Sequence, residues 1–539
     1  METKDSEEIP TKFADSPYVL IRSLRAVLLE ARDHRRLVVE AKKFLAFTII
    51  FVLYVCVSAT VNQQRRLAHA MEQRFVEPAF APSSSDGFGL LKFQDIRNFE
   101  DMWAWTDQIL LPGIYDETMN SLDNNNGDPF DDQVVIDDAS NILFGIRFRQ
   151  VRMSRAKTGC DIPLKIVKSG ITGGKTSCVA EYSQEFVDRA MFGVPTVSSS
   201  LRFDGSQTNQ TIYPYKWFPS SDTQEPEYRG ALQSYYGGGY VVDIPLNRSK
   251  AFDQVNEMRY GRVKGSKNLA TKDTNLDEIV PNSMFVDPEV TRALFASFGM
   301  YHLGLNLHMT CQFVFEWHPG GQMVPSIQFT GTRLFFPFTV HRVIEVVLNV
   351  LLNLGIGYYW VQLLMDFRAG LTKLTPWHVF DTASMTLFTF FTLSSVRSII
   401  FDYPGRDLIT AINSKSQAYY SLLPHMDAAR QGQQFVGANM VLCAIRGLRY
   451  LQVFDSLRVI LRAITNTAAD VANFLVMLLI MVFAFAMGGF FIFGPHISGF
   501  ETIGDCIMTM IFAFDGQLKL VDLQNAFEVW RNYTLSFGF

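Results

Sequence analysis

The residues most able to do chemistry stand where charge is costly. Arg446 and Arg449 lie three apart at the end of an otherwise apolar stretch, and Arg458 and Arg462 follow four apart among Leu451, Phe454, Leu457, Ile460 and Leu461. Each spacing puts its pair on one face of a helix. A charge that crosses a membrane field responds with about 2.3 kcal/mol per 100 mV, so these four arginines are candidate voltage or gating residues. The competing reading is that Arg446 and Arg449 pair with acids such as Glu345, Asp381 or Asp402, or reach back to the cytosolic face. A dedicated sensor repeats Arg every third residue over several turns. Two such residues predict modest voltage sensitivity, not strong gating.

The second candidate is the carboxylate of Asp515, followed by Gly516, at the end of the apolar run Cys506–Phe514. A half-membrane helix that ends at backbone carbonyls and a carboxylate can replace an ion's hydration shell. Phe514, Asp515 and Gly516 then form a selectivity filter, and Asp515 is a transient ion ligand, one per subunit of a fourfold ring. The alternative is an exposed Asp-Gly turn that touches no ion. The filter reading fits the order of the segments: a basic amphipathic stretch (455–468), a very apolar one (471–494), a Gly494-Pro495 break, a short helix (500–514) and then the acid.

Nothing in the sequence points to an enzyme. No HExxH or GxSxG pattern occurs among the 539 residues, and Gly237-Gly238-Gly239 is not followed by a GK[ST] element. That glycine run reads as a tight turn or bulge where backbones approach closely. The stretch Asp123–Asp128 resembles a calcium loop, but aligning Gly127 to the sixth position puts Leu122 first and Gln133 twelfth, so the ligand pattern fails. No bound cofactor is expected. With 48 basic and 53 acidic residues, the net charge of -5 gives no field for nucleic acid.

The elements that must position these groups are apolar. The chain is 48% hydrophobic and 19% charged, against about 25% charged for soluble domains. Spans of about 20 apolar residues cross a bilayer, and five candidates emerge: 44–61, 346–365, 379–401, 431–445 and 471–494. Lys and Arg crowd before the first, notably Arg35, Arg36, Lys42 and Lys43, which places residues 1–43 in the cytosol. Within them, 17–40 reads as an amphipathic or solvated helix. Residues 62–338 then fall outside as a domain of soluble texture. Strands are expected near Val134–Ile136, Tyr240–Ile244 and 301–317, and helical spacing near Phe93–Leu110 and Phe186–Phe192. The remainder divides into spans two to four (339–454), a linker (455–470), the fifth span (471–494) and a pore segment (495–539).

Cys160 and Cys178 sit in a Gly/Ser/Lys-rich stretch of the outer domain. A disulfide closing that loop is expected, contributing about 3 kcal/mol; the alternative is two free thiols. Cys56, Cys443 and Cys506 read as small apolar residues, and Cys311 has no evident partner. Glycosylation sequons occur at Asn209, Asn247 and Asn532, and the span count puts all three on the outer face.

These residues bring a family into view. Phe144-Gly-Ile-Arg-Phe-Arg-Gln-Val-Arg152 and Tyr235-Tyr-Gly-Gly-Gly-Tyr240 resemble two motifs of the polycystin family of TRP-type channels, in the branch typified by polycystin two, with Ile146 where the family has Pro. Ala293–Cys311, Ile445–Leu451, Ala468–Gly494 and Gly499–Ile503 are similar to further family segments, and Cys160 and Cys178 fall where the family carries a disulfide. Two departures stand out. The filter reads Ala513-Phe514-Asp515-Gly516 in place of the common Leu-Gly-Asp, and the uncharged run 532–539 is too short for a sixth span, so the chain is expected to be truncated before or within that helix.

The resemblance implies a membrane protein with an α-helical, voltage-sensor-like bundle and a partial pore module. A large α+β extracellular domain is inserted between the first and second transmembrane helices. It implies a subunit of a tetrameric, nonselective, calcium-permeable cation channel passing calcium, sodium and potassium. The partners implied are identical subunits or polycystin-one-like subunits, with membrane lipids around them. The location implied is the plasma membrane of a cilium or flagellum, or the endoplasmic reticulum. The alternative is a non-conducting structural or adhesion subunit that binds outer partners through its large domain.

Overall fold

The computed structural model describes residues 17–82, 89–115, 135–137, 140–154, 182–194, 196–201, 207–262, 279, 283–318, 321–334, 340–368, 376–400, 419–494, 499–500, 502–514 and 516. The chain divides into two compact units, one formed by 47–442 and the other by 1–46 with 443–539.

The labelled helices are α1 (Pro17–Ser58), α2 (Val61–Phe75), α3 (Phe99–Trp105), α4 (Arg248–Tyr260), α5 (Val340–Arg368), α6 (Pro376–Ile400), α7 (Leu423–Tyr450), α8 (Asp455–Phe493) and α9 (Ile503–Phe514). The strands are β1 (Val135–Asp137), β2 (Ser140–Ile142), β3 (Ile146–Arg152), β4 (Thr196–Leu201), β5 (Gln207–Ile212), β6 (Trp217–Phe218), β7 (Tyr228–Arg229), β8 (Ser234–Tyr235), β9 (Gly239–Ile244), β10 (Thr291–His302), β11 (Leu307–Trp317) and β12 (Met323–Thr332).

In the larger unit an antiparallel sheet of eight strands runs β12-β11-β10, continues with β2 and β3 side by side along β10, and ends with β9 and β6; β1 pairs with β2. Two-stranded ribbons β4–β5 and β7–β8 accompany it. Every residue of β11 is buried, so both faces of this strand are covered even though its sequence alternates, with Leu307, Met309, Cys311, Phe313, Phe315 and Trp317 on one face and His308, Thr310, Gln312 and Glu316 on the other. One face packs on α2 and α3. Leu67, Met71 and Phe75 recur every fourth residue of α2 and are buried, with Phe75 ring to ring against Phe298 and Phe313. Trp105 closes over Phe313 at 5.0 Å and donates its indole N–H to the Phe75 carbonyl at 3.0 Å. The opposite face carries Phe295, Val314 and Val151 under Tyr235 of the small ribbon.

Two expectations are corrected here and a third is refined. The helical spacing at 186–192 belongs to extended chain, held by isolated bridges Met153↔Val187 and Phe192↔Tyr215. The sheet texture expected over 301–317 is the end of one strand and the whole of the next, separated by a turn at 303–306 where Asn306 adopts φ 48°. The linker 455–470 and the span 471–494 are one unbroken helix, α8, because neither Pro nor Gly interrupts the sequence before Gly488. The segment from Pro17 and the first span form one helix, α1, in keeping with the reading of 17–40 as a helix leading into the span.

Among the described residues, His34–Phe75, Arg342–Met365 and Asn466–Phe493 are long and apolar enough to cross a membrane, and Ile503–Ala513 is a shorter apolar helix. The expected spans at 379–401 and 431–445 are helical, as α6 and α7. Polar side chains knit these helices together within the larger unit: Trp360 donates to the Thr389 hydroxyl at 2.9 Å, Thr392 donates to Asn353 at 2.9 Å, and Ser384 and Asn439 lie buried 3.2 Å apart. Apolar helices in lipid gain specificity from such contacts. Phe47 and Phe51 add edge-on packing against Phe388.

Burial in β11 lowers the His308 imidazole to about 4, against about 6.5 when unfolded. The native ring stays neutral while the unfolded one takes up a proton, so stability is lost as pH falls from about 6.5 toward 4, by about 3 kcal/mol in all. Thermal unfolding of the detergent-solubilised chain should therefore drop in midpoint over that window, and His308→Gln should flatten the slope relative to the parent chain.

Candidate functional site

The pore-like candidate is a helical hairpin in the smaller unit. α8 is uncharged from Val471 onward, and most of its side chains there are exposed, including Phe474, Leu479, Ile480 and Phe485. An apolar surface of that extent in water has no counterpart on soluble monomers. A buried patch faces α9: Ala486 packs with Phe500 and Cys506, flanked by Phe490, Phe493 and Met510. Gly489 makes this seat possible, since a Cβ there would lie 2.8 Å from the Phe500 ring. The chain reverses through Gly499 at φ +101°, whose carbonyl accepts the Thr509 hydroxyl at 2.9 Å. Thr502 caps α9: its hydroxyl accepts the Asp505 amide at 3.1 Å and donates to the Asp505 carboxylate at 2.7 Å.

α9 has 12 residues, about 18 Å of helix, roughly half of a 30 Å bilayer core. It ends at Phe514, and Gly516 follows with φ +76°, its amide bonded to the Ala513 carbonyl at 3.1 Å. The carbonyl end of a helix carries about half a negative charge, so the chain beyond Phe514 emerges where cations are favoured. Of the predicted filter, the Phe514 backbone and Gly516 are thus placed; Asp515 and the Phe514 side chain lie outside the described residues.

The candidate gating arginines have partners on α1. The Arg446 guanidinium sits 5.1 Å from the Phe44 ring centre, a cation–π contact, and Arg449 lies 4.0 Å from the Glu40 carboxylate. Arg458 donates to the Gln452 carbonyl at 3.1 Å and meets the His34 ring at 3.3 Å. The partner foreseen at Glu345 is engaged elsewhere, by Arg342 at 2.8 Å. Asp402 and the Arg462 side chain lie outside the described residues.

In the sheet domain the two family-like motifs clasp each other. Arg149 of β3 donates to the carbonyls of Tyr236 at 3.0 Å and Gly238 at 3.3 Å, and its guanidinium lies 3.7 Å from the Phe295 ring centre. Burial pulls this group down to about 10, though Glu225 and Tyr182 favour its charge. A Cβ on Gly239 would stand 2.6 Å from the Gln150 carbonyl, and one on Gly237 would overlap the Glu225 carbonyl. The glycine run is therefore the close backbone approach that its composition suggested. Arg152 lies over the Phe192 ring at 3.8 Å, and Tyr240 donates to the Ala190 carbonyl at 2.7 Å. Arg147 grips Asp243 through Nε at 2.7 Å and Nη2 at 2.9 Å and donates to the Tyr419 carbonyl at 3.2 Å. Burial opposes its charge, but the Asp243 carboxylate more than offsets this and raises its pKa. The Asp243 carboxylate in turn accepts the Tyr419 amide at 3.3 Å. This tie between β3, β9 and the entry to α7 was not visible in the sequence, because Arg147 and Tyr419 are 272 positions apart.

Two family models match the chain: the polycystin domain over residues 92–262 and the polycystin cation channel over residues 338–529. The chain belongs to the polycystin family. Among curated relatives, Polycystin-2 of Danio rerio is 22% identical over 493 residues, covering 89% of this chain and 48% of the relative. Polycystin-2 of Caenorhabditis elegans is 20% identical over 488 residues, 89% of this chain and 59% of the relative. Polycystin-2-like protein 1 of Homo sapiens is 21% identical over 485 residues, 89% of this chain and 53% of the relative. The chain thus spans about half the length of the curated relatives it matches. In fold class it is a helical membrane protein carrying a sheet-rich extracellular domain, as the sequence led one to expect.

The other sequence-predicted sites divide. Cys160, Cys178 and Asn532 lie outside the described residues. Asn209 is in β5, opposite Ser199. Asn247 is exposed and caps α4, its side-chain oxygen accepting the Lys250 amide at 3.2 Å, which leaves the side-chain nitrogen turned away from the helix bond. Cys311 is free and buried, and burial pushes its thiol up.

The hairpin seat is testable. Gly489→Val should displace the Phe500 ring and open the buried Cys506. Labelling of Cys506 by a thiol reagent, read by peptide mass spectrometry, should rise about tenfold in the variant, while an unchanged rate would show that Gly489 is not what seats the ring.

Proposed function

We propose that this polycystin-family chain is a subunit of a tetrameric, nonselective, calcium-permeable cation channel. The observation that carries the reading is the α8–α9 hairpin: a long apolar helix, a sharp reversal, and a half-length helix whose carbonyl end leads into Asp515-Gly516. Four such ends around an axis would give a ring of carboxylates and helix termini, an arrangement that lowers the cost of dehydrating a cation. Calcium, sodium and potassium are the permeant ions on this reading, and no cofactor takes part. Partner subunits are further copies or polycystin-one-like chains; a curated relative named Polycystin-1-like protein 3 of Mus musculus is 21% identical over 448 residues, which supports kinship between the two kinds of subunit.

In this reading residues 62–338 face the outside and carry glycans at Asn209, Asn247 and Asn532. The location is a ciliary or flagellar membrane or the endoplasmic reticulum, on the strength of the family resemblance. Arg446, Arg449, Arg458 and Arg462 give a modest voltage response. Arg446 is buried, with its guanidinium over the Phe44 ring, which favours a group held in place over one that travels.

Patch-clamp recording from cells expressing the full-length gene product should give cation currents, and Asp515→Ala should change the calcium-to-sodium permeability ratio severalfold. Unchanged ratios in the variant would remove Asp515 from the filter. Absence of current, alone and with a polycystin-one-like chain, would favour the structural or adhesion subunit. Peptide mapping without reductant should recover Cys160 linked to Cys178, and recovery of both as free thiols would dismiss that bridge.

A further inference from the structure

A polar cavity of about 690 Å³ lies in the larger unit, walled by the 225–229 segment, the outer part of β12, Gln312 of β11, Gln64 in the first turn of α2, and the first turns of α7 from Leu423 to Gln433. Its volume is in the range of small-molecule sites. Its lining is unusual in two respects. Uncharged polar side chains contribute to it, among them Gln64, Gln312, Gln328 and Thr330. Charges of both signs are also present: Glu225 is buried, with 5% of its surface exposed, Asp427 is half-buried and feels the charge of Arg430, and Glu227, Arg229 and Arg430 are exposed.

Glu225 is the telling residue. A buried carboxylate needs donors for its oxygens, and this fold shows how it supplies them: Glu316, fully buried, accepts the Ala231 amide at 2.8 Å on one oxygen and the Leu232 amide at 2.9 Å on the other. The Oε1 atom of Glu225 has no hydrogen-bond partner. Arg149 and Arg147 attract its charge from nearby, yet burial outweighs them and raises its pKa. The site therefore holds an acceptor in want of a cationic donor, with guanidinium groups exposed around it.

We propose that this cavity binds a zwitterion bearing a primary ammonium and a phosphate, of the phosphoethanolamine type, with the ammonium on Glu225 and the phosphate met by Arg229 and Arg430. An ammonium brings three N–H donors and no acceptor, which matches an orphaned carboxylate amid amide and hydroxyl oxygens. A trimethylammonium offers no N–H and would call for an aromatic cage, whereas the aromatic side chains among the lining residues are Tyr228 and Phe329 alone. Guanidinium groups suit phosphate by their forked geometry. The two lower walls point to a lipid as one source. Gln64 follows the end of α1 at Ser58, and Arg430 directly precedes the uncharged stretch 431–445 of α7, so both residues sit where helices leave the hydrocarbon. In an ethanolamine lipid the ammonium is the far tip and the phosphate lies nearer the chains, the order that a buried acid and exposed arginines require. The inference rests on the proposed outer placement of the sheet domain and is independent of whether the chain conducts.

The test uses the purified full chain in detergent, titrated in native mass spectrometry with phosphatidylethanolamine, phosphatidylglycerol, and soluble phosphoethanolamine as separate probes. Phosphatidylethanolamine should bind at least tenfold more tightly than phosphatidylglycerol, and both Glu225→Gln and Arg430→Gln should weaken it about tenfold. Binding of soluble phosphoethanolamine with the same dependence on both residues would make the ligand a free metabolite and still uphold the site. Should Glu225→Gln fail to fold, as read by its melting temperature, the exposed Arg430 decides alone. Equal retention of the two lipids, or retention unchanged in Arg430→Gln, would overturn the proposal.

Discussion

A guanidinium cannot shed its charge, and three of them on one strand set the terms for the sheet domain. Arg149 and Arg152 of β3 are buried and Arg147 is half-buried. Leaving such a group uncompensated would cost several kcal/mol. Each is answered differently: Arg147 by a carboxylate, Arg149 by two carbonyls and an aromatic face, Arg152 by the Phe192 ring and Asp188 at 4.0 Å. The carbonyls that answer Arg149 come from a turn that also runs close against the Glu225, Phe218 and Gln150 carbonyls, and it is this close approach that leaves no room for a Cβ at Gly237, Gly238 or Gly239. The sheet, the glycine turn and the approach to α7 are thus consequences of burying one basic strand.

The membrane unit obeys a different constraint. With no water to satisfy backbone groups, helices are the available form, and a helix too short to cross must end against protein or an aqueous lumen. α9 is such a helix. Its first turn is capped by Thr502 and its flank rests on α8 through the Phe500 seat, while its carbonyl end is left pointing onward. Polar residues that would be costly in lipid are used between helices, as with Asn353, Thr392 and Trp360.

How much of this could be read in advance depended on the range of the interaction. Local periodicity and charge-free length located every helix from α5 to α9, since those signals live within one element. The two arginine- and glycine-rich motifs were recognisable, and the glycine run was rightly read as a close backbone approach. What it approaches was hidden, because Arg149 and Gly238 are 89 positions apart. Residues 186–192 misled because an apolar spacing that fits a helix also fits an extended chain pinned at two points, Val187 and Phe192. The partners of Arg446 and Arg449 were sought among acids of neighbouring spans. Phe44 and Glu40 of α1 also meet them, and an aromatic partner leaves no charge signature in a sequence.

The continuity of α8 has a mechanical meaning. Thirty-nine residues of helix without an internal break make a rod of about 58 Å, in which the amphipathic portion and the apolar portion share one axis. Gly488 and Gly489 are the first positions at which that rod has glycine's backbone freedom. The half-length helix is seated against Gly489, so a bend of the rod there would change the hairpin angle.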